Sequence, residues 1–194
     1  MKNKENNMRR KIIAIVGDNR IEKNSVAYNM AFETGKMLVD NGYRVQSGGL
    51  GGIMEAAFKG AYASRKYREG DTIAIIPSNN ADMANNYADI SIPTGMDSMR
   101  NAIVANASAV IAIGGGAGTL SEMAYAWSFK RLLIGFSNVD GWSRILANMS
   151  LDHRIRYENI PEDCCYGVQS AEEVEKILQE KLPLYNKYHD RIVF

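Results

Sequence analysis

Eight of the seventeen glycines fall in two five-residue windows, 48–52 and 114–118. Each window follows an apolar run and opens an amphipathic stretch, the arrangement of a strand, a loop and a helix. Glycine lets a ligand approach the backbone closely, and a helix N-terminus presents free N–H groups and a partial positive charge. Ser47, Gly48, Gly49 and Gly51 in the first window are therefore candidates for holding a phosphate, as are Gly115, Gly116, Ala117, Gly118 and Thr119 in the second. One such cluster serves equally well as a tight turn, but two at equivalent places in one sheet point to an anion. Gly17 and Asp18 end a further apolar run. Asp18 has two readings, as a partner for ribose hydroxyls or as a cap for the next turn, and its charge opposes a phosphate set against it. Glu55 likewise either caps or pairs locally, or touches ligand. Thr119-x-x-Glu122 has capping-box spacing, which on its own gives Glu122 only a backbone N–H to satisfy.

Neither window is a standard nucleotide fingerprint. G-x-G-x-x-G fails at Thr119, and no G-x-x-x-x-G-K-[ST] occurs, which counts against an NAD-dependent dehydrogenase and a P-loop NTPase. His153 and His189 lie where the pattern is weak, and an ordinary imidazole pKa of about 6.5 makes neither a base by itself. Two histidines and the adjacent Cys164 and Cys165 do not make a metal site of three or four ligands, nor a disulfide framework.

These residues need elements to position them. Residues 11–17 (KIIAIVG) and 109–113 (AVIAI) are unbroken apolar runs, as in strands covered on both faces. Further strands are expected at 43–46, 72–76, 88–92 and 131–136, with helices near 25–40, 53–64, 98–107, 119–129, 141–149 and 170–182. Ser170 and Glu173 have capping-box spacing at the start of the last helix. Between 150 and 170 the pattern is weak. The alternation predicts an α/β fold: a Rossmann-like, doubly wound, mostly parallel sheet with helices on both faces and 109–113 central. Ligands in such a sheet sit beyond the carboxyl ends of the strands, where the candidate residues stand.

The 194 residues, 46% hydrophobic and 23% charged, suit one domain at 11–182. Residues 1–10 read as a disordered lead-in and 183–194 as a C-terminal tail. Twenty-three Lys and Arg against 22 Asp and Glu give a net charge of +1, which argues against nucleic acid or an anionic membrane surface as partner. No apolar run reaches ~18 residues, and the first residues lack the apolar core of a signal peptide, so a cytoplasmic location is expected. Residues 123–129 carry Met123, Tyr125, Ala126, Trp127 and Phe129 around most of a helix. That surplus of apolar surface predicts a homo-oligomer, a dimer or a tetramer.

The segment from Gly114 to Glu122 (GGGAGTLSE) resembles the P-G-G-x-G-T-x-x-E signature of the Lonely Guy (LOG) family, once mislabelled as lysine decarboxylases. The segment from Ser47 to Ala57 (SGGLGGIMEAA) is similar to that family's G-G-x-x-G-[LI]-M-[GE]-x-[AV] block, and Met99-Arg100-Asn101 to its M-x-x-R-K segment. Gly114 in place of proline, Asn101 in place of lysine, and the first loop Gly17-Asp18-Asn19-Arg20 look more like the molybdenum-cofactor-carrier-like branch and its bacterial relatives. Two activities are implied. The LOG enzymes split nucleoside 5′-monophosphates into free base and ribose 5-phosphate; the carrier branch binds without catalysis. Under the first, Glu122 is the carboxylate that stabilises positive charge on the ribose and handles the attacking water, and Arg100 holds oxygens and orients Glu122. Under either, the partner is a small nucleotide-like molecule, and no further cofactor is required.

Overall fold

A computed structural model describes residues 9–186. The elements in chain order are β1 (Ile12–Gly17), α1 (Val26–Asp40), β2 (Arg44–Ser47), α2 (Ile53–Tyr62), β3 (Thr72–Ile76), β4 (Ile90–Pro93), α3 (Asn101–Ala105), β5 (Ala109–Ile113), α4 (Ala117–Ser128), β6 (Leu132–Phe136), α5 (Trp142–Leu146), β7 (Cys165–Val168) and α6 (Ala171–Lys181). Short 3₁₀ turns occupy Ala81–Met83, Asp97–Arg100 and Leu182–Leu184. The seven strands form one parallel sheet in the order β4-β3-β2-β1-β5-β6-β7. This is the Rossmann-like α/β fold expected from the alternation.

Every residue of β3, β5 and β6 is buried, because helices cover both faces. Leu38 of α1, Phe58 of α2 and Val174 of α6 enter one core, against Ile13, Ile15 and Ile111 of the sheet. Val104 of α3 and Met123 and Trp127 of α4 enter the other, with Trp142 of α5 beside them. At the edge, Ile90 and Ile92 of β4 are exposed, and Pro93 is tolerated because an outer strand can spare an N–H. β1 is the middle strand, and β5 lies inside the sheet between β1 and β6.

Local signals set several boundaries. The Ser25 side chain accepts the Tyr28 N–H at 3.3 Å to start α1, and Asn41 returns its amide to the Met37 carbonyl at 2.9 Å. Ser170 accepts the Glu173 N–H at 3.3 Å, and the Glu173 carboxylate takes the Gln169 N–H at 2.7 Å, a capping box displaced by one residue. The other capping box is not formed: α4 begins at Ala117, so Thr119 already lies inside the helix.

The segment 150–164 holds more order than its pattern indicates. Arg156 is buried, bonded to both oxygens of Asp163 at 2.8 and 2.6 Å, and stacked 3.5 Å above the Trp127 ring. It also donates to the carbonyls of Trp127 and Arg131. Trp127 is thereby interior; of the aromatics attributed to the outer surface of α4, Tyr125 stays exposed and stacks on Phe129. The strand β7 that follows was not anticipated. Arg10, on the lead-in side of the expected boundary, bonds Asp71 and the Tyr43 carbonyl, and Tyr185, on the tail side, is buried and donates to Asp163. Residues 1–8 and 187–194, the outer parts of both expected terminal segments, lie outside the described residues.

Candidate functional site

The chain runs outward from β1 to β4, then returns to place β5 on the other side of β1. The crevice between these two strands is the topological switch point, where open α/β sheets hold ligands. Gly17 pairs with Ile113, so the carboxyl ends of β1 and β5 finish level and the loops that follow them face each other. Gly114 (φ +64°) and Gly115 (φ +94°) turn the second loop through conformations that favour glycine. The loop is braced from behind. Ser143 Oγ accepts the Gly114 N–H and donates to the Phe136 carbonyl, both at 2.8 Å, and the Trp142 N–H donates to the Gly115 carbonyl at 2.9 Å. No side chain caps α4 at Gly116, so its first-turn amides supply partial positive charge at the crevice.

A cavity of about 340 Å³ fills the crevice. Of the candidate residues it brings together Gly17, Asp18, Arg100, Gly116, Gly118, Thr119 and Glu122. Asn19, Leu50, Met54, Pro77, Asp97, Ser98 and Asn101 also line it. Asn19, Leu50, Met54 and Asn101 stand inside the segments compared with the LOG and carrier families, though none was singled out as a ligand; Pro77, Asp97 and Ser98 carry no pattern of their own. Larger hollows of about 430 and 510 Å³ lie against Arg10 and Tyr185 and within the 150–163 segment. Neither gathers a glycine loop and a buried acid, so size does not mark the site here.

Arg100 and Glu122 meet at the floor of the crevice. Arg100 Nη1 stands 3.3 Å from Glu122 Oε1, and both side chains are about nine-tenths buried. Among the described residues the Arg100 Nε has no acceptor. Burial pushes the Glu122 carboxyl up from 4.5 to about 7, against the opposing pull of Arg100. Burial also lowers the Arg100 pKa, with Glu122 and then Asp97 working the other way. Asn101 donates to Ser121 Oγ at 2.8 Å and ties the start of α3, next to Arg100, to α4, which carries Glu122.

The first glycine window does something other than its sequence suggests. Ser47, Gly48, Gly49 and Gly51 do not line the crevice. Ser47 Oγ is buried without a partner among the described residues, and at Gly49 (φ +72°) a Cβ would run into Ala74 and Ile76. The first amide of α2, on Ile53, donates to the Asp18 carbonyl at 2.9 Å and is already used. Gly115 and Ala117 also stand off the cavity; the Gly115 N–H donates to Asp18 Oδ2 at 3.1 Å. The two windows are therefore not equivalent anion loops: the second brings Gly116 and Gly118 to the crevice, whereas the first contributes only Leu50 and otherwise supports it. Glu55 pairs with Lys23 at 3.3 Å. His153 lies in the 150–163 segment, and His189 outside the described residues. Among the described residues no group of three or more His, Cys, Asp and Glu is placed to hold a metal, and no helix is long and apolar enough to cross a membrane.

Fold and crevice together define a Rossmann-like α/β protein with a candidate ligand site at the β1/β5 switch point. Residues 10–165 match the SLOG cluster4 family, and the chain belongs to that family. An uncharacterized protein of Archaeoglobus fulgidus is 39% identical over 115 residues, 59% of this chain and 72% of that protein. Among solved structures, the structural-genomics target TM1055 superposes with a TM-score of 0.74 at 26% identity, over 88% of this chain and 99% of its own. The molybdenum cofactor binding protein from the phototrophic bacterium Rippkaea orientalis superposes at 0.72 with 28% identity, over 89% and 97%. These likenesses agree with the LOG-like and carrier-like superfamily that the motifs resemble.

Proposed function

We propose that the protein binds a small, phosphorylated, nucleotide-like molecule in the β1/β5 crevice. Its phosphate lies against Gly116, Gly118 and Thr119 at the start of α4, with Arg100 alongside. The observation that carries this reading is the convergence of an uncapped helix N-terminus and a buried guanidinium on one cavity of about 340 Å³, a volume suited to such a ligand. The Rippkaea orientalis protein, a molybdenum cofactor binding protein, supports a small-molecule ligand in this fold. Calorimetric titration with nucleoside 5′-monophosphates and with molybdopterin tests the reading. At least one should bind, and Arg100→Ala should remove most of the affinity. Failure of every phosphorylated ligand overturns it.

A second reading, hydrolysis of the N-glycosidic bond, is favoured by Glu122. A buried carboxyl with a pKa of about 7 is half ionised near neutrality and can take a proton from water as easily as give one back. Water would add to the anomeric carbon as the carbon–nitrogen bond breaks, giving base and ribose 5-phosphate. Chromatography of free base decides between turnover and carriage. Release that falls ~100-fold in Glu122→Gln, with binding kept, supports catalysis.

The assembly we propose is a homo-oligomer formed through the outer face of α4, where Tyr125 is exposed beside Phe129. A monomer in light scattering at micromolar concentration would rule this out.

A further inference from the structure

The even charge balance of the chain hides an uneven distribution. All seven strands are parallel, so they all start at one end of the sheet, opposite the crevice. Cations gather at those starts: Arg9, Arg10 and Lys11 before β1, Lys66 and Arg68 before β3, and Arg131 before β6. These six line two hollows of about 430 and 250 Å³, which share Arg10, and no described carboxylate lines either one. Of the nearby acids, Asp71 is fully buried, accepting from Arg10 Nη1 at 2.5 Å and from the Arg68 N–H at 3.0 Å. Asp89 accepts the Tyr67 hydroxyl and the N–H groups of Gly70 and Thr72. Glu69 is exposed and lines neither hollow. The segments that continue the chain beyond Arg9 and Asn186 carry four Lys and Arg against two acids, so they do not reverse this charge.

We propose that this end of the sheet binds single-stranded nucleic acid, with phosphates along the two cationic hollows and a base on Tyr62. Tyr62 ends α2 and packs against Tyr67 and Tyr87 at centroid distances of 4.4 and 6.1 Å, yet stays 54% exposed. A ring held in this way offers a base a stacking surface, and a duplex keeps its bases from reaching it. Two of the cations are already fixed. Arg10 is held by Asp71 and the carbonyls of Gly42 and Tyr43, and Lys66 by the Asp40 carbonyl at 2.6 Å. From Tyr87 before β4 to Arg131 before β6 the track crosses five strand spacings, ~24 Å. A single-strand site of about four nucleotides fits such a length. Phosphate contacts and stacking carry no base identity, so the binding is indifferent to sequence. The crevice at the other end takes no part in it.

The test is fluorescence anisotropy of the full chain with labelled oligouridylate and oligothymidylate of about twelve nucleotides. A duplex of the same length and phosphatidylserine vesicles serve as competitors. Either single strand should bind more tightly than the duplex, with log Kd rising by ~0.7 per neutralised phosphate for each tenfold rise in salt. Lys11 and Arg68, one in each hollow, are exposed and have no ion-pair partner among the described residues. Lys11→Glu and Arg68→Glu should each weaken binding about tenfold and flatten the salt dependence. Tyr62→Ala should weaken it about tenfold and leave the salt dependence unchanged, because stacking releases no counterions. Melting temperatures close to that of the wild type show that the variants are folded. The proposal is overturned if neither strand binds, if folded variants bind as the wild type does, or if duplex or vesicles bind more tightly than the single strands. None of these results bears on ligand binding in the crevice.

Discussion

A Cβ placed on Gly48 would lie 2.6 Å from both Nη1 and Nη2 of Arg100. The missing side chain is the space in which the guanidinium rests, so a glycine off the crevice determines where the crevice's cation can be. Gly48→Ala should displace Arg100 and lower ligand affinity about as far as Arg100→Lys does, without touching the ligand. Overpacking of this kind costs about 1–3 kcal/mol of stability. Titration calorimetry and urea unfolding of the two variants side by side check both parts.

Glu122 makes stability depend on pH in a particular direction. Its carboxyl is raised from 4.5 to about 7 in the folded protein by burial. Below 4.5 both folded and unfolded states hold the proton. Between 4.5 and 7 the unfolded chain releases it first, so stability falls as pH rises and levels off above 7. The size expected is roughly 3 kcal/mol. Glu122→Gln should flatten this part of the profile, measured as unfolding free energy at pH 4.5, 6 and 8. A profile of equal slope in both proteins would contradict the assignment.

Adjacent glycines in the second loop should behave in opposite ways. Gly115 has φ +94° and a Cβ there would meet Thr119 Oγ1 at 2.2 Å, whereas a Cβ on Gly116 meets nothing within 4 Å. The conformations that favour glycine belong to Gly114 and Gly115, while Gly116 is extended. Gly115→Ala should therefore destabilise the fold by about 1–3 kcal/mol. Gly116→Val should leave the melting temperature nearly unchanged while filling ligand space and reducing binding.

Arg156 and Asp163 form a buried pair on the far side of α4, with the Trp127 ring beneath the guanidinium. Arg156→Ala would leave Asp163 buried and the carbonyls of Trp127 and Arg131 without this donor. A loss of about 3–5 kcal/mol is expected, read from chemical unfolding. Because Trp127 lies on the helix that carries Glu122, ligand affinity should fall as well, though less than in Arg100→Ala.

The sheet was legible because its cause is local. Ala109–Ile113 and Leu132–Phe136 have no polar alternation, and such runs are stable only with both faces covered. Helix starts at Ser25 and Ser170 were equally legible, since a cap is settled within four residues. β7 was not legible: Cys-Tyr-Gly-Val is a short edge strand, interrupted by a glycine whose N–H is held by Asn148 from outside the strand.

The amino-acid sequence by itself determined the layered α/β class, the places where strands end, and the residue types available beyond those ends. Only the tertiary structure decided how those residues are used. Arg100 and Glu122 are 22 positions apart, and Asp18 and Gly115 are 97 apart. Spacing along the chain says nothing about either contact. Both follow from the crossover that sets β5 beside β1 rather than beside β4. That choice brings one glycine loop to the crevice with an acid on its amide, and leaves the other behind the guanidinium. Hydrophobic period and capping act within a few residues. Charge and hydrogen bonding act through space, and the space is made by strand order.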